Sequence, residues 1–414
     1  MSLEPTWFRK IVDPYLHLPL GAERRSFLSQ KLAQGNSQSS LREYALYMAS
    51  ATRRLQLTPQ TRLSPAEIDR AAKRWAFRQP PPSRLRCPNR VRRRFRFVVS
   101  SWFKFMNRLD LSTVPVDPYS DLLDDFERLL NEERGLSAST IQKHLHTARG
   151  FLQRHPLLRL KHHAGGAKEL RAYVNDLESR CSTRVGIATY VYSLRAFLRY
   201  AEGRGLIATG LSNAITPPRI YCDERLPLGP AWNEVQRLLE SADTGKPIDI
   251  RDRAIMLLLA VYGLRSAEVR HLEINDIDWR GHRLAIPRSK TRQKVTYPLV
   301  KEAALAIRKY LTVRPASTSQ TVFLRINAPI GGLTASGMGD IIRSRLRNEG
   351  VSVPHPGPHC LRHACATRLR ERGLSFKAIG DHLGHRSPDA TRIYAKVDLP
   401  ALREVANFDF GGLL

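Results

Sequence analysis

Proline punctuation constrains this chain more than any other feature. Pro80-Pro81-Pro82, then Pro115 and Pro118, then Pro217-Pro218 through Pro227 and Pro230 recur along its 414 residues. Proline lacks an amide hydrogen and its ring clashes with the preceding turn, so no regular helix runs through such clusters. The stretches between them carry apolar residues at helical spacing. The chain therefore reads as a series of helical blocks, and its length allows about two to four domains.

Residues 1–112 read as short helical pieces. Ser64-Pro65-Ala66-Glu67 predicts an N-cap with Pro at the first helical position. Phe95, Val98, Val99, Trp102, Phe103 and Met106 predict a basic helix over 90–109. Four more helices are expected at 121–133, 139–154, 167–179 and 186–203, making residues 113–215 an all-helical domain, with 216–230 as a linker. Residues 231–400 read as a last, mixed domain. It begins with helices at 231–242 and 252–262, the second of them buried. Two alternating strands follow at 282–287 and 294–299. Helices return at 301–313, 337–349, 358–372 and 375–383, with a final one from about Ser387. Residues 401–414 form a C-terminal tail. The expected fold class is mainly α with a small antiparallel β-sheet (α+β).

Charge narrows the partner. There are 67 Lys+Arg against 38 Asp+Glu, a formal net charge of +29. Residues 1–112 hold 22 basic and 7 acidic side chains, so about half the surplus lies there. Lys and Arg neutralise phosphates and release their counterions, which makes nucleic acid the first expectation. The candidate DNA contacts are Arg84, Arg86, Arg90, Arg92, Arg93, Arg94 and Arg96, then Arg195 and Arg199, then Arg288 and Arg292. No membrane partner is expected: the longest strongly apolar run, 254–262, is nine residues, and a spanning helix needs about 20. Five cysteines without a Cys-x-x-Cys pair suit a reducing cytosol. A cytoplasmic, nucleoid-associated protein is the expectation.

Four segments of the last domain hold residue types suited to phosphate chemistry. They are Gly263-Leu264-Arg265-Ser266-Ala267-Glu268, Lys290 in the basic loop 288–293, His359-Cys360-Leu361-Arg362-His363, and Leu383-Gly384-His385 with Tyr394 nine residues beyond the histidine. Each alone has a bland reading, as a helix turn, a surface lysine, or a core tyrosine. His359 and His363 stand four apart, but Cys360 occupies the place of the glutamate in a zinc-protease helix. Gly331-Gly332, Gly337 and Gly339 lack the Gly-Lys-Ser/Thr of a nucleotide loop. The ordered combination is what carries weight.

That combination resembles the catalytic domain of the tyrosine recombinases, the phage integrase family. In that family an Arg in G-L-R-x-x-E, a Lys on a β-hairpin, H-x-L-R-H, L-G-H and a Tyr nine residues later follow in this order. The resemblance covers residues 231–400 by motif, and the helical domain resembles the family's core-binding domain by helix pattern alone. It implies six catalytic residues: Arg265, Lys290, His359, Arg362, His385 and Tyr394. Tyr394 would be the nucleophile, the two arginines a phosphate clamp, and Lys290 the acid for the leaving 5′-oxygen. His359 would accept the tyrosine proton, and His385 would donate to the phosphate. The implied product is a 3′-phosphotyrosyl link, resealed without ATP, metal or other cofactor.

The implied partners are double-stranded DNA with specific recombination sites, further copies of the chain as a tetramer on paired DNA, and accessory or companion recombinases. The implied setting is a mobile element, through integration or transposition. The tail is expected to dock on a neighbouring copy. The alternatives are a type IB topoisomerase-like relaxing enzyme and a catalytically silent DNA-binding protein.

Overall fold

The computed structural model describes residues 6–77, 88–112, 117–155, 157–180, 183–220, 229–287, 294–384 and 391. The packing divides into two compact units, Met1–Asp110 together with Arg225–Leu414, and Leu111–Glu224. Within the first unit, residues 8–103 and residues 235–364 build separate buried apolar cores that share no residue.

The N-terminal part holds α1 (Thr6–Val12), α2 (Gly21–Ala33), α3 (Gln38–Arg54), α4 (Pro65–Phe77) and α5 (Pro88–Phe105). The start of α4 is a reciprocal cap. Ser64 N donates to Glu67 Oε2 at 2.8 Å, and Glu67 N donates to Ser64 Oγ at 3.3 Å. This satisfies backbone donors that a helix start leaves open. The apolar stripe of α5 places Phe95, Trp102 and Phe103 in the core, where Tyr47, Trp75 and Phe95 meet at 6.0 to 6.1 Å between ring centroids.

The polar face of α5 is not uniformly free. Arg92 holds Asp69 in a two-pronged bond at 3.0 and 2.7 Å, Arg96 lies 3.4 Å from Asp69, and Arg94 pairs with Glu43 at 3.0 Å. Arg90 and Arg93 are exposed. Arg84 and Arg86 lie outside the described residues.

The second unit is all-helical. It comprises α6 (Ser120–Arg128), extended by a π-helical turn over Leu129–Glu133, α7 (Ala138–Leu152), α8 (His163–Arg180) and α9 (Arg184–Gly203). Thr183 caps α9 by accepting from Gly186 N at 3.2 Å. Phe126, Phe151, Leu170, Leu194, Phe197 and Leu198 form its core. Arg199 is exposed, while Arg195 donates to Asn213 at 3.1 Å and Arg204 is tied to Asp125 at 2.6 Å.

The remainder of the first unit begins with α10 (Trp232–Ser241), α11 (Pro247–Val261) and α12 (Ser266–Arg270). A three-stranded antiparallel sheet follows, β1 (Ile277–Asp278), β2 (Arg283–Pro287) and β3 (Lys294–Pro298), in sequence order. The last elements are α13 (Lys301–Val313), α14 (Ala335–Asn348), α15 (Pro358–Glu371) and α16 (Phe376–Leu383). Leu284 of β2 faces Tyr297 of β3 in register, and both are buried, as alternation predicts.

Two expectations change. A third strand, β1, joins the sheet; at two residues it is too short to show alternation. Helix α11 begins at Pro247 rather than at residue 252. The added residues carry Asp249 and Arg251, charges that read as lying outside a buried helix, and Asp252 follows them. Arg345 of α14 neutralises them, with Nη2 at 2.5 Å from Asp249 and 2.7 Å from Asp252, and Arg251 adds a bond to Asp252 at 2.7 Å. The rest of α11, from Ala254 to Ala260, is buried on all sides. Burying each leucine-sized side chain contributes about 1.5–3 kcal/mol, so α11 is a rigid post. The residues that follow it are Gly263, Leu264 and Arg265.

Candidate active site

Arg265 leaves the post at the start of α12, in extended backbone. Its own amide donates to Glu268 Oε2 at 2.8 Å, and its Nη1 reaches Glu268 Oε1 at 2.9 Å. Glu268 is 1 % exposed, so the carboxylate is a fixed buried anchor. Arg265 itself keeps 31 % of its side chain open. Its third contact is Nη2 to the carbonyl of Gly384, at 2.8 Å.

Arg362 arrives from α15 and is nearly buried, at 2 % exposure. Its Nη1 donates to Gly263 O at 2.5 Å and its Nη2 to Leu383 O at 2.9 Å. The two guanidinium groups are thus brought together by successive carbonyls at the end of α16. Gly384 adopts left-handed backbone there (φ 65°), which turns these carbonyls out of the helix. Gly263 is also left-handed (φ 60°), and a Cβ on it would sit 2.3 Å from a Leu383 methyl. The close approach of α11's end to α16 therefore requires glycine.

His359 lies in the first turn of α15, where Pro358 is the first helical residue. Its side chain is exposed to solvent on one side, and neighbouring protein partly desolvates the ring. Partial burial, then the charges of Arg362 and Arg265, hold its pKa below the ordinary imidazole value. A neutral His359 at neutral pH follows, able to accept a proton. His359 and His363 meet edge-on at 4.3 Å. Among the described residues no group of three or more His, Cys, Asp or Glu could hold a metal ion. The nearby thiols are structural. Burial pushes the Cys365 thiol up to about 12, and Cys360 is also raised.

Lys290, His385 and Tyr394 lie outside the described residues, as do Arg288 and Arg292. Thr391, three positions before Tyr394, is described and buried at 2 % exposure. It lies against α16, where a Cβ on Gly380 would fall 2.9 Å from its hydroxyl. Sequence reasoning missed Tyr297, whose hydroxyl donates to His382 O at 2.5 Å. Strand alternation placed that ring inward but could not name its partner.

Comparison with known proteins agrees with this geometry. The phage integrase family model matches residues 231–399. The integrase/recombinase-class chain y4rA of Sinorhizobium fredii is 38 % identical over 287 residues, covering 68 % of this chain and 69 % of that one. Tyrosine recombinase XerC of Alcanivorax borkumensis is 30 % identical, covering 67 % of this chain and 89 % of its own.

Among solved structures, XerH recombinase bound to palindromic difH superposes with a TM-score of 0.53 at 17 % identity, covering 82 % of this chain and 94 % of that one. The lambda integrase tetramer on a Holliday junction gives 0.52 at 19 %, with 72 % and 85 % covered. These two share the fold. The chain belongs to the phage integrase family, the tyrosine-type site-specific DNA recombinases.

Proposed function

We propose that the chain cuts and rejoins DNA at specific sites through a covalent 3′-phosphotyrosyl intermediate on Tyr394. The observation that carries this is the placement of Arg265 and Arg362 on the adjoining carbonyls Gly384 O and Leu383 O, within electrostatic reach of His359. Two fixed guanidinium groups offset charge developing on the non-bridging oxygens of a phosphodiester, where preorganised donors stabilise a transition state most. The Tyr394 oxygen attacks phosphorus and its proton passes to neutral His359. The bond to the 5′-oxygen breaks, and Lys290 protonates that oxygen. His385 donates to the phosphate. Attack by a 5′-hydroxyl reverses these steps and reseals the strand.

The proposed division of labour follows the motifs. Residues 231–400 carry chemistry, residues 113–215 and 1–112 grip DNA, and 216–230 connect. Among the candidate contacts, Arg90, Arg93 and Arg199 are exposed and are assigned to phosphate. Strand exchange between two duplexes needs four such sites, so a tetramer on paired DNA is part of the proposal. The tetrameric neighbour on a Holliday junction supports it. Service to a mobile element and residence with the nucleoid complete the reading.

The test is covalent capture. The full chain is incubated with a randomised duplex pool carrying a nick, and adducts are isolated after denaturation. Capture of a defined sequence by the wild type, and none by Tyr394→Phe, is expected. An adduct with Tyr394→Phe, or none with the wild type, overturns the proposal.

A further inference from the structure

The last three carbonyls around the C-terminus of α16 are each taken by a side chain from a different element. Leu383 O accepts from Arg362 of α15, and Gly384 O from Arg265 beyond α11. The third, His382 O, accepts from the hydroxyl of Tyr297 on β3. Helix ends leave such carbonyls without intrahelical partners, so whatever caps them sets the position of the turn. Two of the caps here are the guanidinium groups that the proposed mechanism needs at the phosphate. The third has no charge.

Tyr297 is well held for a capping role. It is 6 % exposed. Its ring packs edge-on against Tyr262 at 5.6 Å and against His382 at 5.6 Å. Tyr262, three residues before Arg265, is itself tied to the end of β3. Its hydroxyl donates to Pro298 O at 3.0 Å and accepts from Val300 N at 2.9 Å. One aromatic column thus joins the end of the α11 post, strand β3 and the end of α16.

We infer that Tyr297 is a positioning residue for the arginine clamp. It acts through the α16 turn, not on DNA, because its hydroxyl is spent on His382 O and its ring is buried. When a phosphate enters, Arg265 and Arg362 share their donors between it and the two carbonyls. A turn anchored by a third, uncharged bond keeps those carbonyls from following the guanidinium groups, so the donors stay aimed as charge builds. This inference rests on the proposed clamp role of the arginines.

The test uses the full chain with Tyr297→Phe and the duplex obtained by covalent capture, made with either a normal or a methylphosphonate scissile linkage. The methylphosphonate removes one non-bridging charge and with it most of the need for the clamp. The ring is retained in Tyr297→Phe, so the fold and DNA affinity are expected to survive, with melting lowered only slightly by the lost hydrogen bond. Cleavage of the normal phosphodiester is expected to slow about tenfold, the loss of roughly one aimed hydrogen bond. On the methylphosphonate the deficit is expected to shrink below about threefold.

Arg265→Ala is the control, and its much larger deficit is expected to shrink likewise. A Tyr297→Phe protein with no deficit, or with equal deficits on both substrates while Arg265→Ala is relieved, overturns the inference alone. Equal deficits for Arg265→Ala on both substrates overturn the clamp and the inference with it.

Discussion

Arg362 donates to the carbonyl of Gly263 across 99 residues of sequence, at 2.5 Å, and with its other nitrogen to Leu383 O at 2.9 Å. One buried guanidinium therefore ties the turn after α11, which delivers Arg265, to the end of α16. The candidate site is held together by the same arginines that the proposed mechanism places at the phosphate. Removing Arg362 is thus a structural event as well as a chemical one.

Gly263→Ala tests that closure. The added methyl meets Leu383 at 2.3 Å in a backbone with φ 60°. Left-handed backbone and forced repacking together cost about 2–4 kcal/mol. A lower melting temperature and loss of DNA cleavage are expected. Normal melting with normal cleavage would show that the two turns do not need this contact.

His359 is expected to titrate below the ordinary imidazole value in an NMR pH series on the free protein. Arg265→Ala removes one of the charges that lower it, so its pKa should rise. The unfolded chain takes up this proton at higher pH than the folded one. The group's contribution to stability is therefore complete above about pH 6.5 and is lost as pH falls through the lowered folded value. A His359 titration above the ordinary value would refute the electrostatic account.

Lys290→Ala is expected to slow cleavage of a normal phosphodiester by about 100-fold, within the range for loss of a general acid. A substrate with sulfur in place of the bridging 5′-oxygen leaves without needing a proton, and most of the rate should return. Equal slowing on both substrates would make Lys290 a binding residue.

Replacing Arg90 and Arg93 with Ala should flatten the salt dependence of DNA affinity. Two lost phosphate contacts change the slope of log K against log salt by about 2. Arg92→Ala should change it less, because Arg92 is already neutralised by Asp69. Identical slopes for the wild type and the double variant would remove α5 from the DNA-binding surface.

Local chemistry was legible in the amino-acid order. Helix α4 begins where Ser64 and Glu67 can cap each other, α13 spans 301–313 as its apolar period predicts, and Arg265, His359 and Arg362 stand in readable motifs. These are short-range properties, set by backbone geometry and by which face of a helix is apolar. What lay beyond reach was pairing at distance. Nothing near Asp249 in the sequence announces Arg345, so α11's first turn went unread. Nothing near Arg92 announces Asp69, so its charge was counted as free. Tyr297 and His382 are 85 residues apart. Their bond exists only because α11, β3 and α16 pack around a common core. The sequence determined which groups could do phosphate chemistry. Tertiary packing alone decided that two of them share one turn, because the carbonyls that aim them belong to a third element.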